Sequence, residues 1–190
     1  ALALAAQTDT SKWVRQAAKR TLGFVVASLP ASLVSPAAVD AFAALPEASE
    51  ETDDGDLAFA CAFTLPGVLQ RLGNDGWTRL RDCYRELALS QIPSVRLTLA
   101  ASLGEVATLV GREASEESLV PLAEEFLESD GAETVTAAAA ALGRLLPALG
   151  EDSRRRLCGV GVERRIDGRC CCDRRCCCAR TRSTGACRRH

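Results

Sequence analysis

The residue type best equipped for chemistry here is cysteine, and it is concentrated at one end of the chain. Residues 169–180 read RCCCDRRCCCAR, with cysteines at 170–172 and 176–178. Thiols at that density suggest a metallothionein-like metal cluster, or palmitoylation beside arginines. Zinc sites, however, space their ligands so that the two thiolates of a Cys-x-x-Cys pair reach one tetrahedral ion, and contiguous triplets lack that spacing. No metal site is assigned. Cys61 and Cys83 sit among apolar or helical residues and read as ordinary helix positions holding reduced thiols. The one histidine is His190, at the last position. Ser-His-Asp and Cys-His arrangements are therefore unavailable to residues 1–157. Neither a GxxxxGK[ST] phosphate loop nor a GxGxxG turn is present. No catalytic residue and no cofactor is assigned, and the chain is expected not to be an enzyme.

Function must then rest on the surface that the folded elements present. The sequence is 47% hydrophobic and 25% charged, with only 4% aromatic residues, and it is rich in the helix formers Ala and Leu. Two kinds of sequence meet near residue 157. Residues 1–150 hold 11 Lys/Arg against 20 Asp/Glu, whereas residues 151–190 hold 12 against 5. From Cys158 the apolar periodicity stops, and Arg, Cys and Gly dominate. We expect residues 158–190 to be disordered, with the composition that translation of a GC-rich intron or a shifted frame would give. This basic stretch could hold RNA loosely but has no aromatic side chain for stacking, so no specific nucleic-acid partner is assigned. No apolar run reaches the roughly 18 residues of a membrane span. The opening ALALAAQTDT lacks the basic and apolar regions of a signal peptide. With no Met even at position 1, a fragment or an incomplete gene is expected.

The elements come from a repeat. VRQAAKRTLG (14–23) and VRLTLAASLG (95–104) share a Val-Arg start and a Leu-Gly end. Related steps at Pro66-Gly67 and Leu142-Gly143 divide the interval into units of about 40 residues, the range of paired-helix arrays. GWTRLRDCYRELALS (76–90) is an amphipathic first helix, SQIPS the turn, and the apolar stretch from Val95 a second helix, with Pro93 in its first turn. SEESLVPLAEEFLES (115–129) and AETVTAAAAALGRLLPALG (132–150) repeat the layout. Ser115 is the expected N-cap there, with Glu116 and Glu117 in the first turn. SPAAVDAFAAL (35–45) and DLAFACAFTLPGVLQRLG (56–73) form an earlier pair. SKWVRQAAKRTLGFVVASL (11–29) is a second helix with a truncated or frayed partner, and EDSRRRL (151–157) starts another first helix. The acidic PEASEETDDGD (46–56) reads as a solvated loop, or as an acidic contact for a basic partner.

The fold expected is all-α, a solenoid of about three and a half helix pairs over residues 1–157, in which each unit buries the greasy face of its neighbour. Such arrays present their turns as a ridge. Trp13 at one turn packs on the preceding repeat or anchors a partner, since binding hot spots favour Trp and Arg. Lys12, Trp13 and Arg15, with Gln91 and Ile92 of the SQIPS turn, are the partner-binding candidates.

The Val-Arg pairs, Val14-Arg15 and Val95-Arg96, resemble the start of the second helix in the HEAT-repeat family. That family also places an Asp six residues before the Arg, as Asp9 stands before Arg15. Asp53 stands likewise before Phe59, and Asp130 before Thr136. The resemblance implies an Asp–Arg ladder linking repeats, with Arg15 and Arg96 in it, but Ser90 replaces the Asp before Arg96. Residues 11–157 are similar in order to the HEAT-repeat regulatory and scaffolding subunits of serine/threonine phosphatases. SKWVRQAAKRTLG, LAFACAFTLPGVLQRLG, GWTRLRDCYRELA and VRLTLAASLGEVATLVG carry this, with Trp77, Tyr84, Val95, Arg96 and Glu105 in place. TVTAAAAALGRL departs in its Ala content, and the likeness ends near Arg156. It implies a non-catalytic subunit, cytoplasmic or nuclear, that binds a catalytic subunit of the phosphatase 4 or 2A type and directs its substrate choice. The alternative is an adaptor in nuclear transport or trafficking, which HEAT arrays also serve; fold alone does not separate the two.

Overall fold

The computed structural model describes residues 2–52 and 54–163. Of the stretch 158–190, expected to be disordered, residues 164–190 lie outside them, as does Asp53; residues 158–163 are instead helical, with Cys158 buried, because the apolar contacts of that helix run past Leu157. Among the described residues ten α-helices follow in order: α1 (Leu2–Thr8), α2 (Lys12–Ser28), α3 (Pro36–Ala43), α4 (Leu45–Thr52), α5 (Gly55–Leu72), α6 (Asn74–Ala88), α7 (Pro93–Ala114), α8 (Val120–Glu128), α9 (Ala132–Ala148) and α10 (Glu151–Glu163). Among the described residues there is no strand.

The helices stack in two layers. The second helices α2, α5, α7 and α9 lie side by side, each packed on the next. The first helices lie behind them: α1 contacts α3, α3 contacts α6, and α8 contacts α10. Arg81 of α6 reaches Glu117, just before α8. The result is an all-α solenoid of α1/α2, α3–α4/α5, α6/α7 and α8/α9, with α10 opening a further unit. At the start, residues 2–8 form the short α1 as the first helix of the opening pair, 7 residues against the 15 of α6.

The apolar periodicity becomes one continuous core. Leu22, Leu65, Leu69, Leu99, Leu103 and Leu142 are fully buried between neighbouring helices. Each such Leu contributes about 1.5–3 kcal/mol of transfer free energy, so stacking rather than any single helix holds the fold. The Leu-Gly steps mark close helix approaches. A Cβ at Gly23 would strike Thr64 of α5 and Phe42 of α3. A Cβ at Gly104 would stand 2.5 Å from the Arg144 Cβ and 2.8 Å from the Ala141 carbonyl oxygen, both on α9. At Gly143 nothing lies within 4 Å. Glycine therefore fits the step where a neighbouring second helix crosses at that point.

Two inter-repeat turns use glycine for a different reason. Gly73 and Gly111 adopt φ of 71° and 80°, a region that costs other residues strain. Gly111 interrupts the helical run of α7, so Pro93–Val110 is the second helix and the chain turns there into the next first helix. This corrects the capping expectation for Ser115. The first helix has already begun by then, and Ser115 is fully buried inside a π-helical turn (Ser115–Leu119), its hydroxyl donating to the Gly111 carbonyl at 2.6 Å. Glu116 and Glu117 accordingly do not sit in the first turn.

The acidic stretch is also corrected. Most of 46–56 is helix rather than loop: α4 packs on α5 and α6. Leu45, Pro46 and Ser49 face inward, and the Ser49 hydroxyl donates to the Asp54 carbonyl at 2.7 Å. Glu47 falls in the first turn, where the helix dipole favours it. A run of acids looks like solvated linker, yet Glu is a good helix former and Leu45 supplies the anchor.

Candidate functional site

The turns that start α2, α7 and α9 share one construction. Asp9, Ser90 and Ser129 each accept a hydrogen bond on the side chain from the backbone N–H two residues on, at 2.8, 3.2 and 3.2 Å. Such turns fix the entry into the helix. Arg15 then donates back to the Asp9 carbonyl, and Arg96 to the Ser90 carbonyl, each at 2.6 Å. Ser90 thus does the work of Asp9, because either side chain offers an acceptor oxygen at the right reach.

This overturns the expected ladder. Arg15 and Arg96 close the turns of their own repeats rather than linking repeats. The register at the third turn also shifts by one: Ser129 and Val135 occupy the places of Asp9 and Arg15, not Asp130 and Thr136. Val95 is buried, whereas its counterpart Val14 is 44% exposed. Links between repeats come from other residues. Arg20 of α2 grips both carboxylate oxygens of Asp54 at 2.9 and 3.0 Å, while Asp54 caps α5 by accepting from the Leu57 N–H. Arg71 donates to the Ala27 carbonyl, and Glu116 accepts from the Gly150 N–H. Arg20 uses one nitrogen on both Asp54 oxygens, and Arg71 two nitrogens on one carbonyl oxygen, so each link is held by two bonds.

Trp13 stands on this ridge of turns at 81% exposure, which decides between packing and display within the described structure. Lys12 is also exposed, and Arg15 is partly so. Lys12, Trp13, Gln16, Arg20 and Asp56 line one shallow depression. Beyond the next turn, exposed Gln91 and half-buried Ile92 line another, with Pro46, Glu50, Asp54 and Glu86. The two candidate groups thus flank the Asp54–Asp56 turn on one side of the array. Glu86 is raised above the ordinary Glu pKa by partial burial, then by the charges of Glu50, Glu47 and Asp82. The acids of α4 therefore form part of a mutually repelling cluster, consistent with the acidic-contact reading of that stretch.

A second surface was not foreseen. Phe24 of α2 and Phe59 and Phe63 of α5 point outward, 49%, 42% and 59% exposed. Their rings neighbour one another, with centroids 6.2 Å apart for Phe24–Phe63 and for Phe59–Phe63. A groove between α5 and α7 is lined by Phe59, Phe63, Pro66, Leu97, Ala101 and Glu105. The signal was in the phase: Phe59 and Phe63 lie i, i+4, off the stripe of Leu57, Cys61, Leu65 and Val68 that turns inward.

Reactive groups are sequestered. Cys61 and Cys83 are buried with sulfurs 3.9 Å apart, and burial pushes the Cys61 thiol up, followed by its contact with Cys83. Such thiols are poor nucleophiles. Tyr84 is raised by burial, its hydroxyl donating to the Leu99 carbonyl at 3.3 Å. Among the described residues no cluster of three or more His, Cys, Asp or Glu could hold a metal ion. No described helix is long and apolar enough to cross a membrane.

Comparison with known proteins now adds a relationship. The protein phosphatase 4 regulatory subunit 1 middle domain matches residues 61–159, more than half of this chain. Serine/threonine-protein phosphatase 4 regulatory subunit 1 from Homo sapiens is 36% identical over 97 residues, and the Mus musculus and Rattus norvegicus proteins match equally. The match takes in 50% of this chain and 10% of each relative.

Proposed function

Because the chain belongs to the protein phosphatase 4 regulatory subunit 1 middle-domain family, we propose that it is a non-catalytic segment of a HEAT-type scaffold that holds a serine/threonine phosphatase catalytic subunit. That catalytic subunit is of the phosphatase 4 or phosphatase 2A type, and the bound array helps select its substrates. The contact is made by the ridge of turns carrying Lys12, Trp13, Arg15, Gln91 and Ile92. Gln91 and Ile92 fall inside the matched stretch, and Trp13 precedes it. The observation that carries the reading is the family match over the stacked pairs α6/α7 and α8/α9. The exposed Trp13 supports the choice of surface, since a large amphipathic ring at a rigid turn is a common binding anchor. Buried free thiols at Cys61 and Cys83 fit a reducing compartment, the cytoplasm or nucleus. The transport-adaptor alternative has no comparable match in its favour.

The test is retention of purified phosphatase 4 and phosphatase 2A catalytic subunits on the immobilised chain. Retention of at least one, weakened by Trp13→Ala, is expected. Retention of neither contradicts the proposal.

A further inference from the structure

The aromatic face differs from the ridge in place and in chemistry. It lies on the outward side of the second-helix layer, away from α3 and α6. Three of the five phenylalanines in the chain stand there, each more than two-fifths exposed. They are contiguous, unlike the scattered apolar residues of an ordinary surface, and contiguous exposed apolar surface marks interaction sites. The helix beside them makes the groove. α7 presents Thr98 and Ala101 opposite Phe59 and Phe63, so the rings rise on one side and small side chains leave space on the other. Leu97 and Pro66 complete an apolar lining.

The charges around the groove say what fits it. Glu105 lines it, is exposed, and makes no ion pair among the described residues. No lysine or arginine lines the groove. Around it, Arg144 of α9, across from Gly104, is exposed, and two other basic side chains are engaged. Arg20, one turn before Phe24, is held by Asp54 with Asp56 at 3.7 Å. Arg71, one turn beyond Gly67, donates to the Ala27 carbonyl. An unpaired carboxylate beside exposed ring faces attracts a cation twice, by ion pairing and by the ring quadrupole. An acidic ligand would meet repulsion from Glu105, with no base lining the groove to offset it.

We infer that this groove docks a short peptide segment of a partner protein, bearing aliphatic side chains for the Phe59/Phe63 wall and one arginine or lysine for Glu105. The segment lies between α5 and α7, its aliphatic groups against the rings and its cation at the Glu105 end. This surface is separate from the ridge of turns, so it gives the array a second attachment that does not compete with the first. Substitutions in the groove leave the ridge intact, so the failure of either proposal is visible without the other.

The test uses a phage-displayed random peptide library selected on the full chain. Enriched peptides are expected to combine aliphatic residues with a basic one. Phe63→Ser and Glu105→Lys should each weaken a selected peptide by about tenfold or more, as loss of a buried anchor or of a charge partner does. Both positions are exposed, so an unchanged melting temperature confirms that these variants fold. Replacing the basic residue of the peptide by Glu should restore binding to the Glu105→Lys chain. Four results would overturn the inference. They are no enriched peptide, enrichment of acidic peptides, binding indifferent to both substitutions, or a concentration-dependent dimer that Phe63→Ser abolishes, which would mean a second copy covers the face.

Discussion

The helices α2 and α5 and the helices α7 and α9 are built alike on the inside and differently on the outside. Inward, both pairs bury leucines and bring their helices close at a glycine, Gly23 against Thr64 in one case and Gly104 against Ala141 in the other. Outward, α2 and α5 display Trp13, Phe24, Phe59 and Phe63, whereas α7 and α9 display Thr98, Glu105, Thr108 and Thr136. Stacking dictates the inner residues because every unit must fit the next. It places no such demand on the outer ones. A large aromatic left outward in a repeat array is thus better evidence of binding than any residue of the repeat motif itself.

The contrast breaks most readily at the glycines. Gly104→Val inserts a branched side chain where α9 already stands, and overpacking of this kind costs about 1–3 kcal/mol. Gly143→Ala meets open space and removes a poor helix former, so it should gain about 0.5–1 kcal/mol. Thermal melts of the two variants check this. Equal melting temperatures would show that α9 does not approach α7 closely at Gly104.

A smaller effect is expected at the turns. Arg96→Met leaves the Ser90 carbonyl without its charged donor, and Arg15→Met does the same at Asp9. Charge-assisted bonds contribute about 1.5–3 kcal/mol when buried, and these half-exposed ones should fall near 1 kcal/mol. Arg96→Met should cost more in denaturant unfolding, because its turn leads into the buried Val95, while Val14 lies in solvent. The reverse order would show that the two turns are not equivalent in the way their sequences suggest.

The smallest effect lies in the acidic cluster. The folded state holds Glu86 above its ordinary pKa. Such a group supports the fold below its unfolded pKa and loses that support as pH rises through the folded value. Glu86→Gln should therefore raise the melting temperature slightly at neutral pH, with the gain vanishing on acidification below the ordinary Glu range. A loss of stability at neutral pH would mean that the repulsion from Glu47, Glu50 and Asp82 is not felt.

The inner half of this molecule was legible in the sequence. The period of the Leu-Gly steps gave the helix pairs, and Pro93 marked where α7 begins, because both express packing or backbone constraints written in residue type. Three things were not legible, each for a physical reason. The helix α4 hid behind its acids, since composition cannot show that Leu45 and Ser49 turn inward. The third turn was misread by one residue, because Ser129 and Asp130 are adjacent and either side chain can accept the bond. The aromatic face was missed because a phenylalanine in a greasy helix reads as core until the phase of the buried stripe is fixed. Of the ridge candidates, the type of surface was readable and the exposure of Trp13 was not.

The most direct test of the scaffold reading is a binding titration of phosphatase 4 and phosphatase 2A catalytic subunits against the chain, its Trp13→Ala variant and its Phe63→Ser variant. The account predicts saturable binding of at least one catalytic subunit, about tenfold weaker with Trp13→Ala, as loss of an aromatic anchor gives, and unchanged with Phe63→Ser. No binding, or equal binding by the wild-type chain and Trp13→Ala at equal melting temperatures, would contradict it.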